Sequence, residues 1–543
     1  MTSEKKFCSE KNYFQPIMLV VTIGIWAITN SLFFNKYWLF IISQHNWSTT
    51  AGALLVITWI ILTSFYASFH ISSFLFSLLV RRFSPKITRN YLKNPPVAIF
   101  YTCMNDVKEI AVEACLGQNY ANFDVYILDD STTVEEQKRI DNIKRRHGKS
   151  ISILRREGNV GFKAGNLNNA LRNIGNKYDY ICVVDSDEII PPTFLRNLVA
   201  ILEGNNDLGF VQASHSQYSE TDYGNLVGRN IDLHWKYFLP ARNWFGFIYT
   251  YGHGVVFRTQ ALLRIGGFPE VVSEDIAVST KLREIGYKGY YAYDIESLEE
   301  TPPSYQAFRR KNKKVATGTL EFLTKFHRSF LCSENVSLVE KVDLLLSLFV
   351  IYLPVLFLFY ILLIYIVLLG NTKVEMVFPF YNQGFLLFLL ITVFSPLIYL
   401  LPNLIQSPKS VTLYILRMGT IQLSICAQTT GVVFKWLVNR KSYFVPTGDR
   451  TQIPSTFLGT AIEFLIGLYV ALTGLMTLSL YLIAIGLCLM LVPFLVKYNF
   501  SRRTLLLLAS LPILMTIMAM FGTPSILVGA AGGVFIGISW THY

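Results

Sequence analysis

A polar stretch in the middle of the chain carries three acidic motifs and lies between two blocks of apolar sequence. The motifs are Asp129-Asp130, Asp185-Ser186-Asp187 and Ser273-Glu274-Asp275, and the β-rich runs VYIL and ICVV precede the first two. Carboxylates at the carboxyl ends of strands in an open α/β sheet point into the ligand crevice. They repel one another unless a cation or a proton lies between them, and their hard oxygens suit Mg²⁺ or Mn²⁺. The pattern predicts a site for a metal-bound diphosphate, as in a nucleotide-sugar enzyme.

The composition favours a membrane protein. Hydrophobic residues make up 52% of the 543 residues and charged residues only 15%, which is too apolar for an ordinary soluble protein. The formal charge of +12 is expected from Lys and Arg gathered on the cytoplasmic side against anionic lipid. No basic stripe accompanies a recognition motif, so no nucleic-acid partner is expected. The seven cysteines form no CxxC pair and predict neither a zinc site nor a disulfide framework.

Eight apolar segments predict eight membrane crossings. Two open the chain and six follow the polar stretch, at residues 15–34, 51–80, 343–370, 384–402, 457–475, 477–497, 504–521 and 525–540, since a crossing needs about 20 residues. The mixed stretch 411–437 is interpreted as interfacial. An even number of crossings puts both termini on one side, together with Arg81-Arg82 and Arg502-Arg503. The positive-inside bias makes that side the cytoplasm, which predicts a multi-pass protein of the cell membrane with a cytoplasmic catalytic domain.

The polar stretch has the pattern of an α/β domain. Pro95-Pro96 marks its start, and short β-rich runs then alternate with helical stretches at 107–116, 133–146 and 164–172. This alternation predicts a mostly parallel sheet of Rossmann type, and the absence of GxGxxG argues against a dinucleotide site. We divide the chain into membrane helices at 1–94, a cytosolic domain at 95–327, and an interfacial and transmembrane region at 328–543.

The motifs have chemical interpretations and plainer ones. Asp185 and Asp187 lie two residues apart, so in an extended segment they share a face and can approach one cation. In the loop 159–168, two glycines and Lys163 precede a helix, where backbone amides and a cation can meet a phosphate. Asp129-Asp130-Ser131 and Ser273-Glu274-Asp275 can each cap a helix. The latter can instead hold a carboxylate that accepts a hydroxyl proton.

In this order and spacing, the motifs resemble those of family-2 inverting glycosyltransferases, specifically membrane polysaccharide synthases such as cellulose and hyaluronan synthases. The resemblance covers about residues 97–448. It implies a GT-A type domain inserted in a helical membrane domain of about eight transmembrane helices plus interfacial helices. It also implies that the donor is a UDP-sugar, UDP-glucose before the others, and that the cofactor is Mg²⁺ or Mn²⁺. The implied product is a growing β-linked extracellular or capsular polysaccharide that crosses the bilayer.

The resemblance assigns roles to individual residues. It implies that Asp106, Asp129 and Asp130 contact the uridine and that Lys163 contacts the diphosphate. It also implies that Asp185 and Asp187 bind the metal, with Asp185 counted in the donor site as well, and that Asp275 is the base. On the acceptor side it implies Glu274 and the loop residues Tyr251, Gly252 and His253. A shortened gating loop at 440–450 would contain Tyr443, Val445, Thr447 and Gly448.

The chain departs from the family at the QxxRW motif. A gapless alignment places Lys311-Asn312-Lys313-Lys314-Val315 there, and a shifted one places Gln306 to Arg310 there; both lack tryptophan. We therefore assign Lys311 and Lys314 to the diphosphate and seek the acceptor-stacking aromatic elsewhere. The candidates are Trp235, Trp244 and Tyr251, which lie between the DxD and the proposed base.

Two other functions remain open on the sequence. One is transfer of a single sugar to a lipid carrier or glycolipid, which the missing tryptophan supports and the gating-like loop opposes. The other is a transporter or channel with a cytosolic regulatory domain, which the lack of an internal repeat and the few charges in the apolar helices oppose. The sequence leaves the oligomeric state open.

Overall fold

The computed structural model describes residues 15–32, 34–42, 46–83, 87–356, 396–400, 408–439 and 460–476, with short stretches between 483 and 494. Three helices precede the α/β domain: α1 (Ile17–Ser31), α2 (Phe34–Ile42) and α3 (Trp47–Phe83). α1 packs on α3, where Trp26 Nε1 donates to the carbonyl of Ile61 at 3.0 Å. Among the described residues, one stretch, Ile61–Phe83, is long and apolar enough to cross a membrane. The eight crossings stay a prediction, because most of the later segments lie outside the described residues.

Eight strands form one sheet in the described part of the chain. They are β1 (Val97–Cys103), β2 (Phe123–Asp129), β3 (Ile151–Arg155), β4 (Tyr180–Asp185), β5 (Glu188–Ile189), β6 (Leu208–Tyr218), β7 (Val255–Arg258) and β8 (Lys288–Glu300). Their order is β3-β2-β1-β4-β7-β6-β8-β5. β1 to β4 are mutually parallel, but β7 runs antiparallel to both β4 and β6, and β5 runs antiparallel to β8.

The sheet is therefore mixed, and the prediction of a mostly parallel sheet holds only for its first half. Parallel neighbours require a crossover connection, which the helices between β1 and β4 supply. β7 has only four residues and follows the Gly252–Gly254 loop, so its antiparallel placement carries little sequence signal.

Further helices cover the two faces of the sheet and continue beyond it. They are α4 (Glu109–Leu116), α5 (Val134–His147), α6 (Phe162–Ile174), α7 (Phe194–Gly204), α8 (Asp222–Leu233), α9 (Arg242–Phe245), α10 (Thr259–Arg264), α11 (Glu274–Glu284), α12 (Tyr305–Lys325), α13 (His327–Cys332), α14 (Leu338–Phe349), α15 (Pro408–Asn439) and α16 (Ala461–Met476). A π-helical turn, His234–Phe238, continues α8.

Alternation along the central strands divides the apolar core in two. In β1, Val97, Ile99 and Tyr101 face the layer that contains α4, α5 and α7. Ala98 and Phe100 face the opposite layer, which contains α6 and extends to α3 and α15. A strand buried on both faces is a near-continuous apolar run, which is why β1 and β4 were recognisable in the sequence.

Candidate active site

The carboxyl ends of the parallel strands bring the acidic motifs together. Thr102 of β1 lies beside Asp185 of β4, and Cys103 lies beside Asp129 of β2. Thr102 Oγ1 donates to Asp185 Oδ1 at 2.7 Å. The strand ends are thus in register, and the loops that follow them open into one crevice.

A cavity of about 560 Å³, which we call the donor cavity, occupies this crevice. Its wall includes six predicted donor or metal residues: Asp106, Asp130, Lys163, Asp185, Asp187 and Lys314. Asp106 ties two loops together, because its Oδ1 accepts from the Met104 amide and its Oδ2 from Ser186 Oγ, both at 2.8 Å. Burial raises the pKa of Asp106.

Asp129 and Asp130 have different surroundings, although the sequence assigned them together to the uridine. Asp129 lines neither cavity of the site. Its side chain is fully buried, and its Oδ2 accepts from Arg155 Nε at 2.6 Å. Asp130 lines the donor cavity and receives Nε and Nη2 of Arg156 at 2.8 and 2.7 Å. The geometry therefore makes Asp129 part of an internal ion pair and leaves Asp130 at the donor cavity.

The two carboxylates of the DxD motif differ in how far neighbouring groups offset their negative charge. Lys163 Nζ forms an ion pair with Asp185 and donates to the carbonyl of Gly252 at 3.0 Å. Although burial opposes its ionisation, the Lys163 ammonium lowers the pKa of Asp185 to about 2. Burial, with the charges of Glu299 and Asp185, raises the pKa of Asp187 to about 6. Asp187 lines the same crevice. Among the described residues, none donates a hydrogen bond to its carboxylate and none forms an ion pair with it, in contrast to Asp185.

This imbalance fits a divalent cation held by Asp185 and Asp187. A hard cation between them would offset the repulsion that raises the pKa of Asp187. A second group of possible ligands lies nearby, where Glu188, His215 and His253 come within 4.8 Å of one another. The two imidazole rings are stacked at 16° with centroids 4.6 Å apart. Nitrogens of both rings already pair with the Glu188 carboxylate, so this group is better described as a charge network.

That network was missed in the sequence, because its members come from three distant segments. Glu188 Oε1 accepts from His215 Nε2 at 3.2 Å and from Ser297 Oγ at 2.6 Å, and its Oε2 lies 3.2 Å from His253 Nδ1. Although burial opposes it, Glu188 raises the pKa of His253 to about 10, whereas burial lowers the pKa of His215 to about 4. His253, assigned from sequence to the acceptor, is therefore a buried cation beside the DxD motif.

A second cavity of about 190 Å³, the acceptor cavity, adjoins the first. Lys163, Asp185, Asp187 and Lys314 line both cavities. The wall of the acceptor cavity also contains the predicted acceptor-side and base residues Trp235, Tyr251, His253, Glu274 and Asp275. Two chambers that share carboxylates and cations can hold a donor and an acceptor against each other.

Aromatic side chains form one wall of the acceptor cavity. The rings of Trp235 and Tyr251 have centroids 4.4 Å apart, and Tyr251 Oη lies 2.5 Å from His234 Nε2. Trp235 lies in the π-helical turn, a distortion that is frequent at functional sites. Trp244, the third candidate from the sequence, lines neither cavity. The predicted gating-loop residues Tyr443, Val445, Thr447 and Gly448 lie outside the described residues.

Glu274 and Asp275 open α11 at the wall of the acceptor cavity. Asp275 Oδ1 accepts from the Ile276 amide at 2.8 Å. Burial, and next the charge of Asp275, raises the pKa of Glu274 to about 7, and burial raises the pKa of Asp275. Two adjacent buried carboxylates titrate as a pair, and a carboxylate with a raised pKa is a better proton acceptor near neutral pH.

We expect kcat/KM for sugar transfer to rise with pH as this pair loses its proton, with an apparent pKa near 7. This rise is one limb of the pH profile. Below the limb the pair carries one proton, and above it both carboxylates are ionised. In Glu274→Gln the carboxyl group whose pKa is raised to about 7 is absent and Asp275 titrates alone, so the limb moves to lower pH. The measurement is kcat/KM against pH for both proteins, and an unmoved limb would exclude the pair as its origin.

α12 lies between the two cavities and presents a different row of side chains to each. Its donor row is Ala307, Arg310 and Lys314, and its acceptor row is Lys311, Val315 and Thr319, with Lys314 reaching both cavities. Lys311 was assigned to the diphosphate, but it faces the acceptor cavity and donates to Glu299 Oε1 at 3.2 Å. Arg310, which was not among the residues assigned from the sequence, lines the donor cavity instead. The correction follows from helix geometry, since adjacent residues point about 100° apart.

The two rows predict separable effects on donor binding. Arg310→Ala and Lys314→Ala should each weaken UDP binding, because each removes a cation from the wall of the donor cavity. Lys311→Ala should weaken UDP binding less than either of these, since Lys311 faces the acceptor cavity and its hydrogen-bond partner is Glu299. Calorimetric titration with UDP measures all three, and an effect of Lys311→Ala as large as that of Arg310→Ala would contradict the assignment.

Comparisons with known proteins match part of this chain to glycosyltransferases. A family model described as Glycosyl transferase family group 2 matches residues 180–405. Proteins of Shewanella baltica and Shewanella putrefaciens, each named glucans biosynthesis glucosyltransferase H, are 26% identical in an alignment of 258 residues that covers 42% of this chain. The match spans 33% of the length of each relative.

Two solved structures are also similar. A mannosyltransferase from Pyrobaculum calidifontis, in complex with GDP-Man and Mn²⁺, is 16% identical with a TM-score of 0.44 and covers 72% of this chain and 99% of its own. TarS 1–349 of S. aureus, in complex with UDP-GlcNAc, is 16% identical with a TM-score of 0.30 and covers 52% of this chain and 85% of its own.

These findings indicate the class of protein to which part of the chain is similar. Residues 180–405 match a family-2 glycosyltransferase model, and the described α/β domain has a GT-A-like fold. The glucosyltransferase relatives support the predicted hexosyltransferase class. The finer resemblance to cellulose and hyaluronan synthases stays a prediction.

Proposed function

We propose that the protein transfers glucose from UDP-glucose to the end of a growing β-linked glucan at the cytoplasmic face of a membrane. The observation that carries the proposal is the pair of adjoining cavities, which share Lys163, Asp185, Asp187 and Lys314 and have Asp275 on the acceptor side. Glucose and a glucan product are supported by the names of the Shewanella relatives.

The proposed reaction is a single displacement with inversion. Asp275 removes the proton from the acceptor hydroxyl as that oxygen attacks the anomeric carbon. The bond from the anomeric carbon to the β-phosphate oxygen breaks, and UDP leaves with the electron pair. Lys163, Lys314 and Arg310 lie where they can offset the charge on the departing diphosphate. Attack from the opposite face converts an α-linked donor into a β-linkage.

Asp185 and Asp187 are the residues that would hold Mg²⁺ or Mn²⁺. Bound there, the cation supplies Lewis-acid stabilisation of the diphosphate. Lys163 holds Asp185 ionised, and Asp187 has the uncompensated carboxylate.

Export of the product is part of the proposal. The apolar helices α1, α3 and α16 flank the domain in sequence. A multi-pass position in the cell membrane, with the catalytic domain and both termini in the cytoplasm, would let the chain pass outward as it grows. The partners are then the UDP-sugar, the polysaccharide end and the bilayer.

Transfer of one sugar to a lipid carrier or glycolipid is the second candidate. It is favoured by the small acceptor cavity of about 190 Å³ and by Val315 at the position of the motif tryptophan. Purified protein in lipid nanodiscs, given radiolabelled UDP-glucose, separates the two functions. A β-glucanase-sensitive polymer supports the proposal, a glycolipid with one added sugar supports the second candidate, and no transfer from any UDP-sugar contradicts both.

The aromatic wall predicts which substitution affects the acceptor. Trp235→Leu keeps an apolar side chain but removes the indole face, so KM for the acceptor should rise by about 2- to 12-fold, as for an aromatic contact of about 0.5–1.5 kcal/mol. UDP binding should not change. Trp244→Leu is the matched control, since Trp244 lines neither cavity. Equal effects of the two substitutions on KM would show that Trp235 has no special contact with the acceptor.

A further inference from the structure

The turn that carries the base is held between two glycines. On one side Gly252 has φ +81°, and a Cβ there would lie 3.3 Å from Glu274 Oε1 and 3.5 Å from Asp275 Cβ. On the other side, a Cβ on Gly318 of α12 would overlap Ser273 Oγ and lie 3.2 Å from the Ser273 nitrogen. The residue before the two carboxylates therefore rests directly on the backbone of α12.

A buried carboxylate fixes the same turn one helical turn further along α12. Glu321 is 1% exposed, and its Oε2 accepts from the Val272 amide at 2.9 Å. Its Oε1 accepts from Lys325 at 2.7 Å. A hydrogen bond from an amide to an ionised carboxylate is roughly twice as strong as one between neutral groups. Val272, which leads into the turn, is therefore held to α12 by this hydrogen bond, in addition to the close packing of Ser273 on Gly318.

The opposite end of α12 is fixed to the C-terminal helices. Arg309 forms a buried ion pair with Glu463 of α16, and Asn312 Nδ2 donates to Thr429 Oγ1 of α15 at 3.0 Å. Between these two anchors lies Lys314, which reaches both cavities. One helix thus sets the distance between the cations at the diphosphate and the carboxylates at the acceptor.

We infer that Gly318 and Glu321 are positioning residues, which hold the Glu274–Asp275 turn at the distance from the donor cavity that transfer requires. The inference rests on the proposed function, because it assumes that the turn supplies the base. Neither residue needs to touch a substrate, and neither lines the cavities. Their contribution is the location of the base, and a displacement of about 1 Å can lower a rate by about 10²-fold.

Gly318→Ala tests the close approach. An alanine inside a helix normally stabilises it, but here its Cβ would push Ser273 and the turn away from α12. We expect kcat to fall by about 10²-fold, with the UDP dissociation constant within threefold and the melting temperature not lowered. The matched control is Gly431→Ala in α15, where a Cβ meets nothing within 4 Å, and its kcat should equal that of wild type.

A second substitution makes the cause specific. In the Gly318→Ala/Ser273→Ala double variant the overlapping hydroxyl is gone and the nearest remaining contacts are 3.2 Å. Its kcat should therefore return toward that of Ser273→Ala alone, which is the reference for a double-mutant cycle. An additive loss, or an unchanged kcat in Gly318→Ala, would overturn the inference.

Glu321 supplies a test that does not depend on the folding of Gly318→Ala. Glu321→Gln keeps an oxygen that can accept from the Val272 amide and should keep most of kcat, whereas Glu321→Leu should lose it with UDP affinity retained. Equal kcat in the two variants would overturn the role of Glu321. Wild-type transfer from UDP-glucose is measured first. Its absence would contradict the proposed function, whereas wild-type transfer with normal Gly318→Ala and Glu321→Leu would contradict only this inference.

Discussion

Asp275→Asn is expected to lower kcat by about 10²- to 10⁴-fold, the usual contribution of a general base. Asparagine has the shape of aspartate and can still accept from the Ile276 amide, which Asp275 Oδ1 receives at 2.8 Å. It cannot take a proton from the acceptor hydroxyl. Because that proton moves only in the transition state, the dissociation constant of UDP should stay within a few-fold of wild type.

The measurement pairs steady-state transfer with calorimetric titration of UDP. Glu284→Gln, at the other end of α11, is the matched control, because its partners are Lys281 and Ser329 outside both cavities. It should transfer at the wild-type rate. A UDP affinity that falls as far as kcat in Asp275→Asn would instead move Asp275 to the donor site.

Asp187→Asn should also abolish transfer, by more than about 10³-fold, because metal-ion stabilisation of a transition state is worth several kcal/mol. The fold should not suffer. Burial and neighbouring charges raise the pKa of Asp187 to about 6, so its ionised form opposes folding at pH 7. For this group, stability is greatest below the unfolded pKa and falls as pH rises through about 6. Asp187→Asn should flatten that part of the stability curve and leave the melting temperature at pH 7 unchanged or higher.

The role of Asp187 in metal binding can also be tested without turnover, by measuring the melting temperature. Mn²⁺ with UDP should raise the melting temperature of wild type, since a ligand that binds only the folded state stabilises it. It should not do so in Asp187→Asn. Asp207→Asn, at a surface pair with Lys288, should behave as wild type in both assays. Transfer that persists in EDTA, or in Asp187→Asn, would contradict the metal assignment.

The parts of the fold that the sequence predicted are those with a local cause. The strands β2 and β4 were recognisable from the runs VYIL and ICVV, and α4, α5 and α6 lie within a few residues of the helices predicted at 107–116, 133–146 and 164–172. The meeting of Asp130, Asp185 and Asp187 followed from the rule that parallel strands end at one edge of the sheet. Asp106 was assigned to the same site by the family resemblance. Each of these conclusions depends on a few consecutive residues.

The residues that were assigned to the wrong cavity lie in segments that were located correctly. Their side chains point in a different direction from the one predicted. Asp129 and Asp130 are neighbours at a strand end, and successive side chains point to opposite faces, so only Asp130 reaches the donor cavity. Arg310 and Lys311 are neighbours on a helix and face different cavities. Knowing that a segment forms the site does not determine which of two adjacent residues faces it, because that depends on how the whole element packs.

The remaining features depend on contacts between distant parts of the chain. Glu188, His215 and His253 come from β5, β6 and the loop before β7, and no spacing in the sequence indicates that they meet. The antiparallel β7 is similar, because its position between β4 and β6 is fixed only when the whole sheet forms. Single-sequence patterns carry little information of this kind.

The placement of α12 between the cavities restricts how this part of the gene can change. One inserted residue before position 310 would rotate every later side chain by about 100° and advance it by about 1.5 Å. The donor row would then turn toward the acceptor, and the glycine at 318 would leave the base. Exchanges at helix positions that face neither cavity nor the turn leave this arrangement intact, whereas an insertion or deletion displaces every row at once. The number of residues in this segment is therefore as much a part of the site as the side chains that line it.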